Sequence, residues 1–350
     1  MKRILAACCA ALLAASASAA AWAQPGPPTR LIQPVKDRIF RAGNGNWWSL
    51  FAVTSGGIVL VDPISPDFAR WLKGELGRRY PGVPVRYVIY SHSHWDHIEG
   101  GAVFADTAQF IAQEGFLKNT DGRYPHMPGD MIDRNANGTV EPEEIRIPSE
   151  AHPGICGMPD FWFASHDRNH DGHMTPQEMF ADVRMPDITY SQRMTLKLGD
   201  TTLELIFPGK NHADDGTVVY FPAQKVVFST DFPADALVTT SMRSLPSACG
   251  AFDEHPMSEW IRSYRTIEAL DFDVLAQGHG AVLFHKADVT EGRQYFEYLR
   301  DQVSAAMARG ESLEQMKRTL MLEPYQGWAN YGRLREMNIE AAYRNLSTYK

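Results

Sequence analysis

Cysteine is scarce in this chain: there are four in 350 residues, and two of them, Cys8 and Cys9, fall within the first 23. That count excludes a fold held together by a disulfide framework. Cys156 and Cys249 could form one bridge or stay as thiols. No long apolar run follows the N-terminal segment, so no stable membrane insertion is expected. Basic residues are outnumbered, 34 Lys and Arg against 42 Asp and Glu, for a formal charge of −8. Nucleic acid is thereby disfavoured as a partner, because a phosphate backbone needs clustered Lys and Arg to replace its counterions. No long disordered linker is evident, and nothing in the sequence sets an oligomeric state.

At the N-terminus, Lys2 and Arg3 precede an apolar stretch from Ile4 to about Ala15, then small residues and Ala21-Trp22-Ala23 before Gln24-Pro25. This predicts a secretory signal over residues 1–23, cut near Ala23, and a periplasmic or secreted product. Leu5-Ala6-Ala7-Cys8 fits a lipobox, but the apolar region ahead of it is too short to favour lipidation. Cleavage would move the charge from −8 to −10 and leave about 327 residues, enough for one large two-sheet core, an insert and a helical tail.

The densest chemistry lies in His92-Ser93-His94-Trp95-Asp96-His97. Three imidazoles and a carboxylate follow Val85-Arg86-Tyr87-Val88-Ile89-Tyr90, a β-branched and aromatic run that reads as a buried strand. Imidazole and carboxylate suit zinc and related first-row ions, and four such groups in six positions are too many for one tetrahedral ion with an open position. Two ions are the natural reading. A mere solvated loop would predict no partners downstream, yet His212, Asp231 and His279 each follow a strand-like segment: 202–207, 226–228 and 274–276.

With Pro208-Gly209 ahead of His212, Ser229-Thr230-Asp231, and Gly278-His279-Gly280, the chain closely resembles the metallo-β-lactamase superfamily and its H-x-H-x-D-H signature. Gly56-Gly57-Ile58-Val59-Leu60-Val61-Asp62 resembles the opening hairpin, and the likeness runs to about Lys286. The resemblance implies an α/β (α+β) fold, a four-layer αββα sandwich with the site at one edge. It places His92, His94 and His212 on one metal, Asp96, His97 and His279 on a second, and Asp231 as the bridge. One departure is the turn Pro208-Gly209-Lys210-Asn211-His212, two residues longer than the family's Pro-Gly-His.

Two adjacent cations imply hydrolysis, since a shared water loses its proton near neutral pH while the ions polarise the group under attack. Asp96 would orient the metal-bridged hydroxide or pass on its proton, a catalytic role beside its ligand role. Asp214 or Asp215 could fix the His212 tautomer. His94, where oxygen-reducing diiron relatives carry glutamate, favours two zinc ions, with iron or manganese as alternatives.

A second pattern interrupts the first. Residues 133–144 match an EF-hand loop, with Asp133, Asn135, Asn137, Thr139 and Glu144 as calcium ligands and glycine at loop position 6. Residues 167–178 repeat it with Asp167, Asn169, Asp171, His173 and Glu178. Up to two Ca²⁺ ions are expected. The spacing is that of an EF-hand pair, and the prolines at 125, 128, 148, 153 and 159 predict short flanking helices. The domain reading is therefore a signal at 1–23, sandwich from 24–120, a small helical EF-hand insertion at 121–186, and sandwich with helical tail over 187–350. His126, His152, His166, His170 and His173 read as surface residues of the insert. Helical spacing is seen over 258–270, 287–309 and 312–322, with Ile261, Tyr264, Ile267 and Leu270 on one buried stripe.

The acidic balance ranks the nuclease branches low, and a bridging Asp231 resembles the thioesterase, lactonase, sulfatase and phosphodiesterase branches more than true β-lactamases. The expected function is a secreted or periplasmic hydrolase of an ester-like bond in a small molecule, with Ca²⁺ ordering the insert. The alternatives are a β-lactamase and a calcium-binding protein on a catalytically idle scaffold. Trp47, Trp48, Phe51 and Trp95 hint at an apolar substrate surface, with packing as the plainer account of most of them.

Overall fold

The computed structural model describes residues 28–122, 133, 135–145, 160–233, 243–246, 255–280 and 282–349. The signal segment, Cys156, Cys249, His126, His152 and the five prolines expected to shorten the insert's helices lie outside the described residues.

Two sheets face each other. The first runs in chain order: β1 (Arg30–Lys36), β2 (Ile39–Asn44), β3 (Trp47–Thr54), β4 (Gly57–Val61), β5 (Val85–Ile89), β6 (Gln109–Gln113) and β7 (Ile188–Tyr190). β1 to β4 form an antiparallel meander, and β5, β6 and β7 then add in parallel. The second sheet holds β8 (Arg193–Leu198), β9 (Thr201–Ile206), β10 (Val218–Phe221), β11 (Val226–Ser229) and β12 (Val274–Gln277), in the order β12-β11-β10-β9-β8. Its last pair, β11 with β12, is parallel.

Side chains alternate across each strand. Leu50, Ala52, Val59 and Val61 meet Leu205, Val219, Phe221 and Phe228 between the sheets. Their neighbours Phe51, Ile58, Leu60 and Val88 point outward onto α1 (Pro66–Arg79), through Phe68, Leu72 and Leu76. On the far side, Val218, Tyr220, Val227 and Leu275 pack under α7 (Met257–Glu268), α8 (Lys286–Ala308) and α10 (Tyr331–Thr348). Helices cover both outer faces, so these strands are apolar on both sides. The four-layer αββα sandwich is thus the observed fold.

α1 begins where Ser65 accepts the Phe68 N–H, with Pro66 at its first position, and ends over Arg78 and Arg79. The stripe Ile261, Tyr264, Ile267 and Leu270 is buried as expected. The segment expected to be helical to residue 322 stops earlier, as α9 (Leu313–Thr319), where the C-cap Leu320 turns extended, and Leu322 then takes a left-handed conformation.

The short α2 (Trp95–Ile98) lies between β5 and β6; after β6 and the short α3 (Gly115–Asn119) the chain makes a long excursion and returns to β7, the neighbour of β6. Between them lie two loops related by a 34-residue repeat, with α4 (Pro142–Ile145) after the first, α5 (Asp160–His166) before the second and α6 (Pro176–Met179) after it. Gly138 and Gly172 take positive φ, as do Ala136 and His170 two residues earlier. Val140 and Met174 exchange both backbone hydrogen bonds at 2.9 Å, tying loop to loop. Proline opens both α4 and α6. Val140, Phe163, Met174 and Met179 form a small core of their own, against which Trp95 packs.

Gly100 follows α2 where the chain passes under Pro63. A Cβ there would stand 2.3 Å from the Pro63 carbonyl and 2.7 Å from that of Ser65, backbone atoms with no rotamer to yield. Gly100→Ala should cost about 1–3 kcal/mol in urea unfolding; an unchanged midpoint would contradict this close approach.

Candidate metal centre

The seven residues predicted to hold the paired ions lie just beyond strands, on the short α2 or in a loop at one edge of the sandwich. β5 leads into His92 and His94, α2 carries Asp96 and His97, the β9–β10 loop carries His212, and Asp231 and His279 follow β11 and β12. Local contacts fix each in place. Ser91 donates its N–H to Asp62 (2.8 Å) and accepts that of Thr217 (2.6 Å), clamping the start of the histidine run. The long turn before His212 is pinned by Asn211, a buried side chain that donates to Gly209 O (3.0 Å) and Ser263 Oγ (3.2 Å). Asn211, one of the two extra residues, therefore anchors that turn to α7. His279 is backed by Gly278, whose carbonyl accepts the Trp48 N–H (2.7 Å), and a Cβ on Gly278 would strike Thr230 Oγ1 at 2.4 Å.

The seven residues gather into two groups: His92, His94, His212 and Asp231, and Asp96, His97 and His279, with their candidate ligand atoms within 4.8 Å of one another in each. In the first, His94 Nδ1 and His212 Nε2 stand 3.1 Å apart, and Asp231 Oδ2 lies 3.4 Å from His92 Nε2 and 3.5 Å from His212 Nε2. In the second, Asp96 Oδ2 lies 3.4 Å from His97 Nε2 and 3.3 Å from His279 Nε2, and the two ring nitrogens are 3.1 Å apart. Asp231 reaches this group too, at 3.3 Å from His97 and 3.1 Å from His279. Ligands about 2.0–2.2 Å from a tetrahedral zinc ion stand roughly 3.3–3.6 Å apart. The observed spacings are close to that, and the buried His92 Nε2 has no hydrogen-bond partner among the described residues. The residues fit a pair of first-row cations.

The electrostatics agree. Burial pushes the His92 imidazole well below its ordinary value, and His94 and His97 push the same way, leaving the neutral form that binds metal. Burial would also lower His279, but Asp231 and Asp96 lift it to about 9. Burial alone would raise the Asp231 carboxyl; His279 and His212 hold it well below the usual range. Carboxylates and imidazoles offset one another's charge here, and bound cations would take the place of the protons on the rings.

The family model described as the metallo-β-lactamase superfamily matches residues 41–279. This chain belongs to the metallo-β-lactamase superfamily. It is 23% identical over 254 residues to the alpha subunit of a 2,4-dinitroanisole O-demethylase from Nocardioides sp. (strain JS1661), which covers 72% of this chain and 58% of that subunit. It is also similar in fold to the stereoselective inverting sec-alkylsulfatase from Pseudomonas sp., with 15% identity, TM-score 0.60, and 92% of this chain against 51% of the other covered. A double mutant of a sec-alkyl sulfatase matches with 16% identity and TM-score 0.61, over 92% of this chain and 51% of that one. The chain thus spans little more than half the length of these relatives.

Some contacts of this metallo-β-lactamase site were not evident from the motif. Asp62, fully buried with φ 57°, places Oδ2 3.3 Å from His97 Nδ1 and accepts the Thr230 hydroxyl at 3.1 Å. It is the carboxylate that orients a candidate ligand ring. Asp214 and Asp215, expected to serve His212, are engaged elsewhere: Asp214 accepts from Asn119 (2.8 Å) and Lys118 (3.4 Å), and Asp215 is buried beside Ser93. Their sequence proximity to His212 is misleading, because the loop turns them toward α3 and the His92–His94 turn. Of the nearby aromatics, Trp48 and Phe51 are core, whereas the Trp47 indole N–H donates to Asp96 Oδ2 at 2.9 Å. His166, read as a surface residue, is buried against Glu99, while His170 and His173 are exposed.

The ten residues expected to bind calcium all lie in the two loops. Asp133 accepts the N–H groups of Asn137 (3.1 Å) and Gly138 (2.7 Å), and Asp167 those of Asp171 (3.2 Å) and Gly172 (3.0 Å). Glu144 accepts from Asn135 (3.0 Å) and Glu141 (3.1 Å), and Glu178 from Arg168 (3.2 Å) and Thr175 (2.9 Å). The Asn169 side chain accepts the Asp171 N–H at 2.8 Å, and Thr139 Oγ1 lies 2.9 Å from Asn137 Oδ1. The His173 ring contacts Glu141 of the other loop at 2.8 Å.

Burial, with Asp214 nearby, raises the Asp215 carboxyl from its ordinary 3.8 to about 7. Between those values the folded chain keeps a proton that the unfolded chain has lost, so stability falls as pH rises across the window. In chelator-stripped protein, Asp215→Asn should remove that part of the slope in urea unfolding from pH 4.5 to 7.5. An equal slope in both proteins would refute the assignment.

Proposed function

We propose that this chain is a dinuclear metal-dependent hydrolase that cleaves an ester-like bond in a small, partly apolar molecule. The observation that carries this reading is Asp231, within 3.5 Å of ring nitrogens in both ligand groups. We assign His92, His94 and His212 to one ion, Asp96, His97 and His279 to the other, and Asp231 to both, with zinc as the metal best suited to the donors. Bound there, the ions would acidify water and polarise the carbonyl, phosphoryl or sulfuryl group under attack. Asp96, held through Oδ2 by Trp47, orients the attacking water or takes its proton. Asp62 holds the His97 ring, and Asn211 holds the turn that presents His212.

Substrate choice draws support from the relatives' names, a sec-alkylsulfatase and a 2,4-dinitroanisole O-demethylase. Each name points to a substrate in which an ether or sulfate-ester oxygen is bonded to an alkyl or aryl carbon. We infer further that residues 133–144 and 167–178 bind up to two Ca²⁺ ions within an insertion at 121–186, and that residues 1–23 direct export. Among the described residues, no helix is long and apolar enough to cross a membrane.

The protein purified without chelator should carry about two transition-metal ions by elemental mass spectrometry. It should turn over a member of a panel of sec-alkyl sulfates, aryl ethers, thioesters, lactones and phosphodiesters. His94→Ala should lower that turnover by at least about a hundredfold; unchanged turnover would sink the hydrolase assignment and leave an idle scaffold. For the insert, added calcium should raise the melting temperature of wild type but not of the Glu144→Ala/Glu178→Ala double variant. A wild-type transition indifferent to both calcium and its chelation would dispose of the calcium proposal.

A further inference from the structure

α2 carries Asp96 and His97 on four residues, a single turn that would not persist alone in water. His94 at its N-cap contributes no side-chain cap. Among the described residues, Asp62 reaches the His97 ring at 3.3 Å, and three further sets of contacts hold the turn. From beyond β4, Ile64 donates its N–H to His97 O (3.1 Å) and accepts that of Gly100 (3.2 Å). From β3, Trp47 binds Asp96. The third set comes from the insert. Trp95 packs on Val140, Phe163, Met174 and Met179, and Glu99, the C-cap of α2, is hydrogen-bonded to His166 Nε2 at the end of α5. Glu99 and His166 are 7% and 8% exposed, and the His166 ring stands edge-on to Trp95 at 6.2 Å.

We propose that Glu99 and His166 are a positioning pair for the second metal site, through which the insert sets where Asp96 and His97 sit. This rests on the dinuclear reading above. The Glu99 carboxylate is buried against the His166 ring, and removal of that ring takes away the hydrogen bond that its burial requires. The turn then relaxes where it is least supported. The consequence is selective. Asp96 and His97 ride on α2, whereas His92 is fixed by the clamped end of β5 and His212 by the Asn211 turn. Loss of the pair therefore loosens the group of Asp96, His97 and His279 and spares the other.

The test is a Co²⁺ titration of the full chain after chelator removal, followed by visible absorption, which reads each site without turnover. Wild type should fill two sites. His166→Ala and Glu99→Ala should weaken the second step about 10- to 100-fold and leave the first unchanged. His166→Gln, whose amide can still donate to Glu99, should recover it. Should the alanine variants fail to fold, His166→Phe keeps a ring against Trp95 without the hydrogen bond and must show the same selective loss. A wild-type second step in these variants, or equal weakening of both steps, overturns the pair while leaving the dinuclear reading intact. A wild type that takes up only one Co²⁺ takes down both.

Discussion

A buried carboxylate surrounded by four imidazoles governs this structure. Asp231 lies within 3.5 Å of ring nitrogens from His92, His97, His212 and His279, in a place almost closed to water. Charge buried in this way is tolerated only when it is paired and hydrogen-bonded, or when cations bind it. Those four rings come from three separate regions of the chain, so neither sheet can shift against the other without breaking up the cluster. The contacts that join the sheets at this edge follow from that demand. Trp48 and Gly280 tie the β2–β3 region to the end of β12, and Thr230 reaches across to Asp62.

The sandwich supplies the rigidity. Strands covered on both faces leave few alternative registers, because a one-residue slip would exchange the inner and outer apolar sets of every strand involved. Side chains placed just after β5, β11 and β12 inherit that fixity. The loop that carries His212 has no strand of its own and obtains its rigidity from Asn211 and α7 instead.

Much of this could be read in advance from local pattern. The H-x-H-x-D-H run and its three downstream partners stand at strand ends, where composition alone marks a boundary, and all seven fall in the two groups. The strands at 85–89, 201–206, 226–229 and 274–277 agree with their β-branched runs. Hidden features depend on contacts between distant segments. Asp62 looked like the close of a hairpin, because nothing near it in sequence announces His97. Trp47 looked like packing, because its indole N–H finds Asp96 only after folding. His166 looked exposed in a polar insert, because its partner Glu99 lies 67 residues away. Asp214 and Asp215 misled in the opposite way, being adjacent to His212 in sequence and turned from it in space.

The segment that carries the two repeated loops leaves β6 and returns to β7, and these strands are parallel neighbours. Parallel neighbours cannot be joined by a tight turn; even the shortest crossover needs about a dozen residues. A long excursion over the sheet is obligatory at this point whatever the chain does there. Stretching it to span residues 114–187 amounts to between two and three doublings of loop length, each costing only about 0.6 kcal/mol in closure entropy. The fold is therefore permissive to elaboration at one particular joint, and that joint opens beside the metal-ligating turn. An accessory module can grow there, bring its own small core, and touch the site while the strand order of both sheets stays as it was.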